Sequence, residues 1–482
     1  MIKYLIIAFF SILIVKPALY SQDSVITVWS YEYEYNYDES PLEVKQFNNY
    51  FYILNDIYSS SDFSLIKLDA DGNLLWRQIF NFGDNHNYIG NFEIIDENNF
   101  LFTIAQTDTL ACNVILSDSV GNTIWSKYYL GSEQGSYLGA YAKDIVYLDE
   151  QNIYLTGSRA DSVFLFKINI DGDLIWSNVF QNFDNFKTDG RSIGIKSNGD
   201  ILIGVQFRRG LWDSDTRVGV YNCSPIGNLE NIIIYSDSSS KQGLVEMMIT
   251  ESDQIYLVGE GYNSPNFIDA FITKVNSDGN LLWTQYFGSP NYDNIFGASI
   301  TVDNEILVCG NKRYWEYYPH NDIWAFKIDS SGNLLWNYVK ESDGIQRLVS
   351  IIPINDSDYL IVGQSLSNSI YDFDSVIAER LHELQLSNQE EHSIAKHFKI
   401  NSIYPNPINP STNISYTNPT NSNVEINIYD LKGQHIKTLL NDNLREGNHM
   451  YHWNAKNMAS GVYFISIESD KFIDSKKIVL LK

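Results

Sequence analysis

SLIKLDADGNLLW, residues 64–76, decides the fold. Apolar residues alternate on both sides of Asp71-Gly72-Asn73, which describes two short strands joined by a hairpin whose glycine takes positive φ. The same pattern returns as VILSDSVGNTIW ending at Trp125, FLFKINIDGDLIW at Trp176, FITKVNSDGNLLW at Trp283 and WAFKIDSSGNLLW at Trp336. A degenerate copy, VGVYNCSPIGNLEN, carries Asn231 in place of the tryptophan. Successive steps from Trp76 are 49, 51, 55, 52 and 53 residues, so insertions fall between the turns and spare the turns themselves.

A second signature, a polar step followed by an apolar run, occurs as NNYFYILND, ENNFLFTIAQ, EQNIYLTGS, NGDILIGVQ, SDQIYLVGE, DNEILVCGN and DSDYLIVGQ. Runs with so little polar interruption fit strands buried on both faces. About fifty residues with roughly four strands make one blade of a β-propeller, and seven copies predict seven blades. After the last copy one strand remains, 375–381, with no glycine turn behind it. VITVWSYEY supplies the missing tryptophan strand, with Trp29 47 residues ahead of Trp76. The N-terminal strand is therefore expected to complete the last blade, leaving no open sheet edge at the chain ends.

The spacing D/N-x-x-G-x-x-x-W at Asp69, Asp118, Asn169, Asn276 and Asp329 resembles the tryptophan-docking repeat of quinoprotein-like and bacterial extracellular propellers, over roughly residues 24 to 384. Quinone-dependent members carry an adjacent cysteine pair that this chain lacks.

The chain's 482 residues carry 33 basic and 59 acidic side chains, a formal charge of −26, and no basic run. Nucleic acid is not an expected partner. Cys112, Cys223 and Cys309 are widely spaced, predicting buried thiols and neither a metal site nor a disulfide framework; no cofactor is expected. Lys3 ahead of an apolar run from Tyr4 to Val15 reads as a signal peptide over 1–22, cleaved near Ser21 or Gln22, with no spanning segment after it. The expected organisation is then 23–384 propeller, 385–402 polar linker and 403–482 a second all-β domain, a small Ig-like antiparallel β-sandwich of short strands and Asn, Gly and Pro turns.

That last segment resembles the type A C-terminal sorting domain of the type IX secretion system. The family motif falls on Tyr404, Pro405, Asn406 and Pro407, on Tyr429, Asp430 and Gly433, on Gly447, His449 and Trp453, on Ser460, Gly461, Tyr463 and Phe464, and on Lys476 and Lys477. Ile408 stands where many members have an aromatic residue. The resemblance implies a Bacteroidota-type bacterium, the secretion machinery and a sorting protease as partners, and a secreted or cell-surface location reached through the periplasm.

No catalytic constellation stands out: there is no nucleophile elbow, phosphate loop or His-Glu-x-x-His helix. D-x-D-G at Asp69–Gly72 reads as a turn and not a calcium loop, and His449 with His452 faces opposite sides of a strand. Tyr31, Tyr33, Tyr35 and Tyr37 line one strand face, and Lys67, Lys167, Lys274 and Lys327 recur as snorkelling side chains. The expected function is binding or adhesion toward an extracellular glycan or protein by a monomer, with a polymer-degrading hydrolase or an envelope component as alternatives. Function is expected where the copies diverge: 181–191, 208–217 and 312–322, with Trp212, Trp315, Tyr317 and Tyr318 as ligand contacts.

Overall fold

In the computed structural model the described residues are 3–6, 25–384 and 399–480, apart from 35–38, 58–61, 82–86, 107–110, 130–139, 182, 210–214, 237–240, 265–266, 290–291, 314–320, 342–344 and 367–372, and in the C-terminal part 405–409, 419–420, 431–433, 446, 457 and 470–471. The chain divides into two compact units, Met1–Leu384 and Gln385–Lys482. No helix occurs among the described residues.

The first unit is a ring of seven four-stranded antiparallel blades. Blade one is Glu39–Phe47, Tyr50–Ile57, Phe63–Leu68 and Leu74–Phe80, from the axis outward. Blades two to six repeat this order over 87–129, 140–180, 187–234, 243–287 and 292–340. Blade seven takes three strands, Ile345–Pro353, Asp358–Leu366 and Phe373–Glu383, and borrows its fourth from the N-terminus, Val25–Glu34. Each blade's inner strand contacts the next blade's inner strand, and the seventh contacts the first, so the ring closes. Lys3–Ile6 lies parallel along the outer edge of blade four, against Asn231–Ile234.

Apolar faces explain the ring. One buried cluster fills each of the seven blade interfaces: Phe63, Phe80 and Phe102 between blades one and two, for example, and Ile53, Ile66, Leu360 and Val376 between seven and one. A blade is apolar on both faces, so it is stable only between two neighbours. Cys112, Cys223 and Cys309 are buried free thiols within these layers.

The quoted turn works as a dock. Gly72 has φ 81°, its N–H donates to Asp69 O at 3.0 Å, and Asp69 N donates to Asn73 O at 3.0 Å, a type I turn closed by a bulge. The Asp69 carboxylate accepts from the Asp71 and Asn73 amides at 3.0 and 2.8 Å, so it is committed to its own turn. At three blade boundaries the outer-strand tryptophan of one blade covers the turn glycine of the next: Trp29 covers Gly72, Trp125 covers Gly172 and Trp176 covers Gly227, whereas Gln78 and Gln285 lie against Gly121 and Gly332. Trp125 also donates from Nε1 to Ile170 O at 2.9 Å. Where Asn231 replaces the tryptophan, Ile233 covers Gly279 and Tyr235 Oη donates to its carbonyl at 3.0 Å. These tryptophans are half-buried, because outer strands have only one covered side; Trp336 alone among the turn tryptophans is fully enclosed.

Tyr31 and Tyr33 are part of the same docking, with ring centroids 6.2 Å apart and Tyr33 Oη donating to Gly72 O; Tyr35 and Tyr37 lie outside the described residues. The recurring lysines do not snorkel. Lys67, Lys274 and Lys327 are buried, and all four place their ammonium over a tyrosine ring, at 3.9 Å for Lys67 over Tyr50 and 5.3 Å for Lys167, Lys274 and Lys327 over Tyr154, Tyr256 and Tyr359.

The second unit is a sandwich of a three-stranded sheet, Lys399–Tyr404, Ser411–Asn418 and Gly447–Asn454, and a four-stranded one, Ser422–Tyr429, His435–Leu444, Gly461–Ser469 and Phe472–Leu480. Tyr416, Ile426, Trp453, Ile465 and Ile478 fill the space between them.

Gly72→Ala is expected to destabilise the ring by about 1–3 kcal/mol, since a Cβ there has positive φ and meets the Trp29 ring. Gly243→Ala, with only Gln206 Nε2 at 3.9 Å in reach of a Cβ, is expected to stay within about 0.5 kcal/mol of neutral. Trp336→Ala should cost about 3–5 kcal/mol. Denaturant midpoints of the three variants check the docking assignment.

Candidate functional site

The two ends of the ring differ. At one end lie the turns within each hairpin, two to five residues long and of recurring type; at the other lie the connections between second and third strands and between blades, two to ten residues long. Strand polarity places the described residues of 181–191, 208–217 and 312–322 at this second, loop end. Trp212, Trp315, Tyr317 and Tyr318 themselves lie outside the described residues. Their flanking strands belong to blades four and six, with blade five between, so the first two segments adjoin and the third is apart.

The bases of these loops carry opposite charge patterns. Under 312–322, the Lys312 ammonium sits 4.7 Å from the centre of the Trp324 ring, and its charged neighbours are the buried Asp293, Asp269 and Asp322. Burial pushes the Asp293 carboxyl above its usual range, opposed by Lys312 and by hydrogen bonds from Ser289. Under 208–217, Asp215 accepts from Arg209 at 2.9 Å and Arg217 at 2.7 Å, both guanidiniums resting over Phe186 at 4.2 and 5.1 Å. Asp189 forms an ion pair with Arg191, whose Nε lies 2.9 Å from the carboxylate, and accepts from Ser158 Oγ at 2.6 Å.

A second feature lies on the axis: a cavity of about 440 Å³ lined by inner strands of six blades, with Glu43, Lys45, Asn91, Asp144, Glu246, Met248, Ser299 and Ser350 in its wall. All seven inner strands carry a bulge at the same level, after Pro41, Ile89, Ala142, Gly190, Leu244, Ile295 and Leu348. A bulge turns an extra side chain toward the axis and frees a backbone donor. Polar side chains take up the freed bonds across blade boundaries: Asn91 Nδ2 donates to Asp144 at 2.8 Å, Ile193 N to Asp144 at 2.8 Å, Met247 N to Ser192 Oγ at 2.8 Å, and Val44 N to Ser350 Oγ at 3.3 Å. Lys45 bridges Glu93 at 3.0 Å and Glu43 at 3.7 Å.

Four carboxylates around one lysine shape the titration. Burial raises Glu43 to about 7, against Lys45, and Asp144 to about 6; Glu246 is raised well above the usual carboxylate value, by burial first and then by Asp144 and Glu43. Burial works to deprotonate Lys45, but Glu43, Glu93 and Asp144 outweigh it and hold the ammonium charged. Sequence reading missed this belt because it sits 31 to 39 residues ahead of the turn tryptophan (or Asn231), a spacing blurred by the variable loops. No group of three metal-ligating side chains occurs among the described residues.

In the sandwich, Tyr429 pairs in register with Phe464, which pairs with Lys477, making one surface row. Asp430 makes the turn bonds of Asp69, accepting from Gln434 N at 2.9 Å, and Lys476 and Lys477 are exposed. His449 stacks on Tyr416 at 5.6 Å, Trp453 is buried, and Tyr463 Oη donates to Ala459 O at 2.9 Å just before Ser460 and Gly461. Pro405, Asn406, Pro407 and Gly433 lie outside the described residues; Tyr404 and Gly447 hold their strand positions.

Residues 402–481 match the secretion system C-terminal sorting domain family. The chain is exported, to the cell surface or beyond. The sorting domain makes the secretion machinery its partner, and no helix among the described residues is long and apolar enough to cross a membrane. No curated protein matches the chain in sequence. A polysaccharide lyase, a PL25 ulvan lyase, shares the fold at TM-score 0.50 and 9% identity, covering 73% of this chain and 96% of its own. PorZ of Porphyromonas gingivalis, an essential surface component of the type IX secretion system, aligns at TM-score 0.38 and 11% identity over 92% of this chain and 70% of its own.

Carboxyl groups raised by folding bind more protons in the native than in the unfolded chain, so their contribution is fully present at low pH and is lost as pH climbs through the folded values. Between about pH 5 and 8 the ring is therefore expected to lose on the order of 1–2 kcal/mol, after allowance for the channel-facing surface of Glu43. Glu43→Gln and Asp144→Asn should flatten that slope in thermal unfolding followed across pH.

Proposed function

We propose that this chain is a saccharide-binding protein, displayed on or released from the cell surface, whose ligand face is the loop end of the propeller. The observation that carries this reading is the asymmetry of the ring. The hairpin end is occupied by short turns of recurring type, three of them docked under a neighbouring blade's tryptophan, whereas the loop end joins the same strands through connections that differ from blade to blade and rest on buried charged groups. Trp212, Trp315, Tyr317 and Tyr318 are the proposed ring contacts, because aromatic faces beside charged groups suit a polar ligand with apolar patches. A propeller of similar fold being a polysaccharide lyase makes a saccharide polymer the first ligand class to test. One observation favours hydrolysis as a second reading: Glu43 and Asp144, at about 7 and 6, are carboxyl groups that hold protons near neutrality.

Screening the full chain against glycan and protein arrays should return saccharides. Protein ligands alone, or none of either class, would overturn the assignment. Replacing Trp212, Trp315 and Tyr318 by Ala should abolish binding without lowering the unfolding midpoint by more than a few degrees. Export has a separate check: deleting 403–482 should strand a folded propeller in the periplasm, and the mature surface form should end before Tyr404 by mass spectrometry.

A further inference from the structure

We propose that the hairpin face of blades two to four docks a basic, amphipathic segment of a partner protein. This face lies at the end of the ring opposite the loop end, so the surface is independent of the saccharide reading above. Six of the seven outer strands place an aliphatic residue in the bulge just ahead of the outer-strand tryptophan, Ile124 in blade two and Ile175 in blade three among them, whereas blade four has Glu230. A bulged residue has no cross-strand partner to cover it, and Ile124 and Ile175 are 53% and 51% exposed. The turns of these blades widen the apolar surface. Val120 and Ile226, 66% and 67% exposed, stand where other copies have Asp71, Asp171, Asp278 and Ser331. Ile170 stands where Ala70, Ser119, Ser277 and Ser330 occur, and Leu148, at the end of the inner strand of blade three, is 51% exposed. The segments that carry these side chains touch one another. Trp125 Nε1 donates to Ile170 O at 2.9 Å, Ile170 N donates to Glu150 O at 2.7 Å, and Trp176 covers Gly227 beside Ile226. Large aliphatic groups on three adjoining blades thus replace the small or charged residues of the ordinary turn.

Charge selects the occupant. The hairpin turns of blades two to four carry Glu97, Glu150, Asp171, Asp173 and Asp200 against one basic residue, Lys196. Lys196 donates to Ser277 O at 2.9 Å, and Lys127, on the outer strand of blade two, pairs with Asp173 at 2.8 Å. Glu97, Glu150 and Asp171 are exposed, so the aliphatic side chains stand among carboxylates. A second copy would bring like carboxylates together in chains of net charge −26 each, and an anionic lipid surface is repelled for the same reason. A segment with aliphatic residues on one side and Lys or Arg beside them matches both features. Its apolar side removes the exposed side chains from water, and its cations face the turn carboxylates.

The test uses the full chain and peptides of about 18 residues: a Leu/Lys amphipathic helix, oligolysine of the same charge, and a Leu/Glu amphipathic helix. The Leu/Lys helix should bind at least ~10-fold more tightly than oligolysine, and the Leu/Glu helix should not bind. Raising salt from about 50 to about 500 mM should weaken the Leu/Lys complex several-fold. Ile170→Ser combined with Ile226→Ser introduces residues that other copies carry at these turn positions. That pair should weaken binding about tenfold and leave the unfolding midpoint within a few degrees of the parent. Glu150→Gln combined with Asp171→Asn should weaken binding at low salt and reduce its salt dependence. Equal affinity for oligolysine and the Leu/Lys helix, equally tight binding of the Leu/Glu helix, or unchanged affinity in both double variants would overturn the proposal. Self-association, or binding to phosphatidylglycerol vesicles, that disappears in Ile170→Ser with Ile226→Ser would also overturn it, in favour of a second copy or a lipid surface.

Discussion

The antiparallel pairing of Val25–Glu34 with Phe373–Glu383 is the contact on which the ring depends. A propeller blade cannot bury both faces alone, and six interfaces would leave two apolar faces exposed. Pairing the first strand of the ring with its last holds blade seven against blade one and creates the seventh core, where Val44 and Phe51 meet Val362 and Ala378. It also brings Trp29 and Tyr33 onto the Gly72 turn, so closure is made twice, by backbone bonds and by docking. Contacts between positions more than three hundred residues apart carry a large chain-ordering cost, which this dense local set of bonds offsets.

Division of labour between the two ends follows from the same geometry. Docking constrains the hairpin end, since each positive-φ turn glycine between third and fourth strands lies against a side chain of the preceding blade, a tryptophan at three of them, and change there costs stability. Connections at the loop end make no such dock and are free to differ. The charged groups at their bases differ by blade: Lys312 lies among Asp293, Asp269 and Asp322 in blades five and six, while in blade four Asp215 is held by Arg209 and Arg217.

The axial belt has a different character. The bulge in every inner strand leaves backbone donors unpaired, and Asp144, Ser192 and Ser350 satisfy them across blade boundaries. Carboxylates suited to that task repel one another in a narrow channel, and their raised proton affinity is the result.

Sequence alone determined the parts fixed by short-range chemistry. The D-x-x-G turn, the strand alternation and the tryptophan spacing are local, so the hairpins, the blade repeat and the strand shared between the chain ends could be read from residue order, as could the sorting motif. Half-burial of the tryptophans and the polar belt could not, because each depends on which blade stands beside which; nor could the seating of Lys67, Lys167 and Lys274 over tyrosine rings, which depends on strand register within a blade. The axial belt shows this most plainly: Asn91 and Asp144 are 53 positions apart, and only the stacking of blade three on blade two brings them within 2.8 Å.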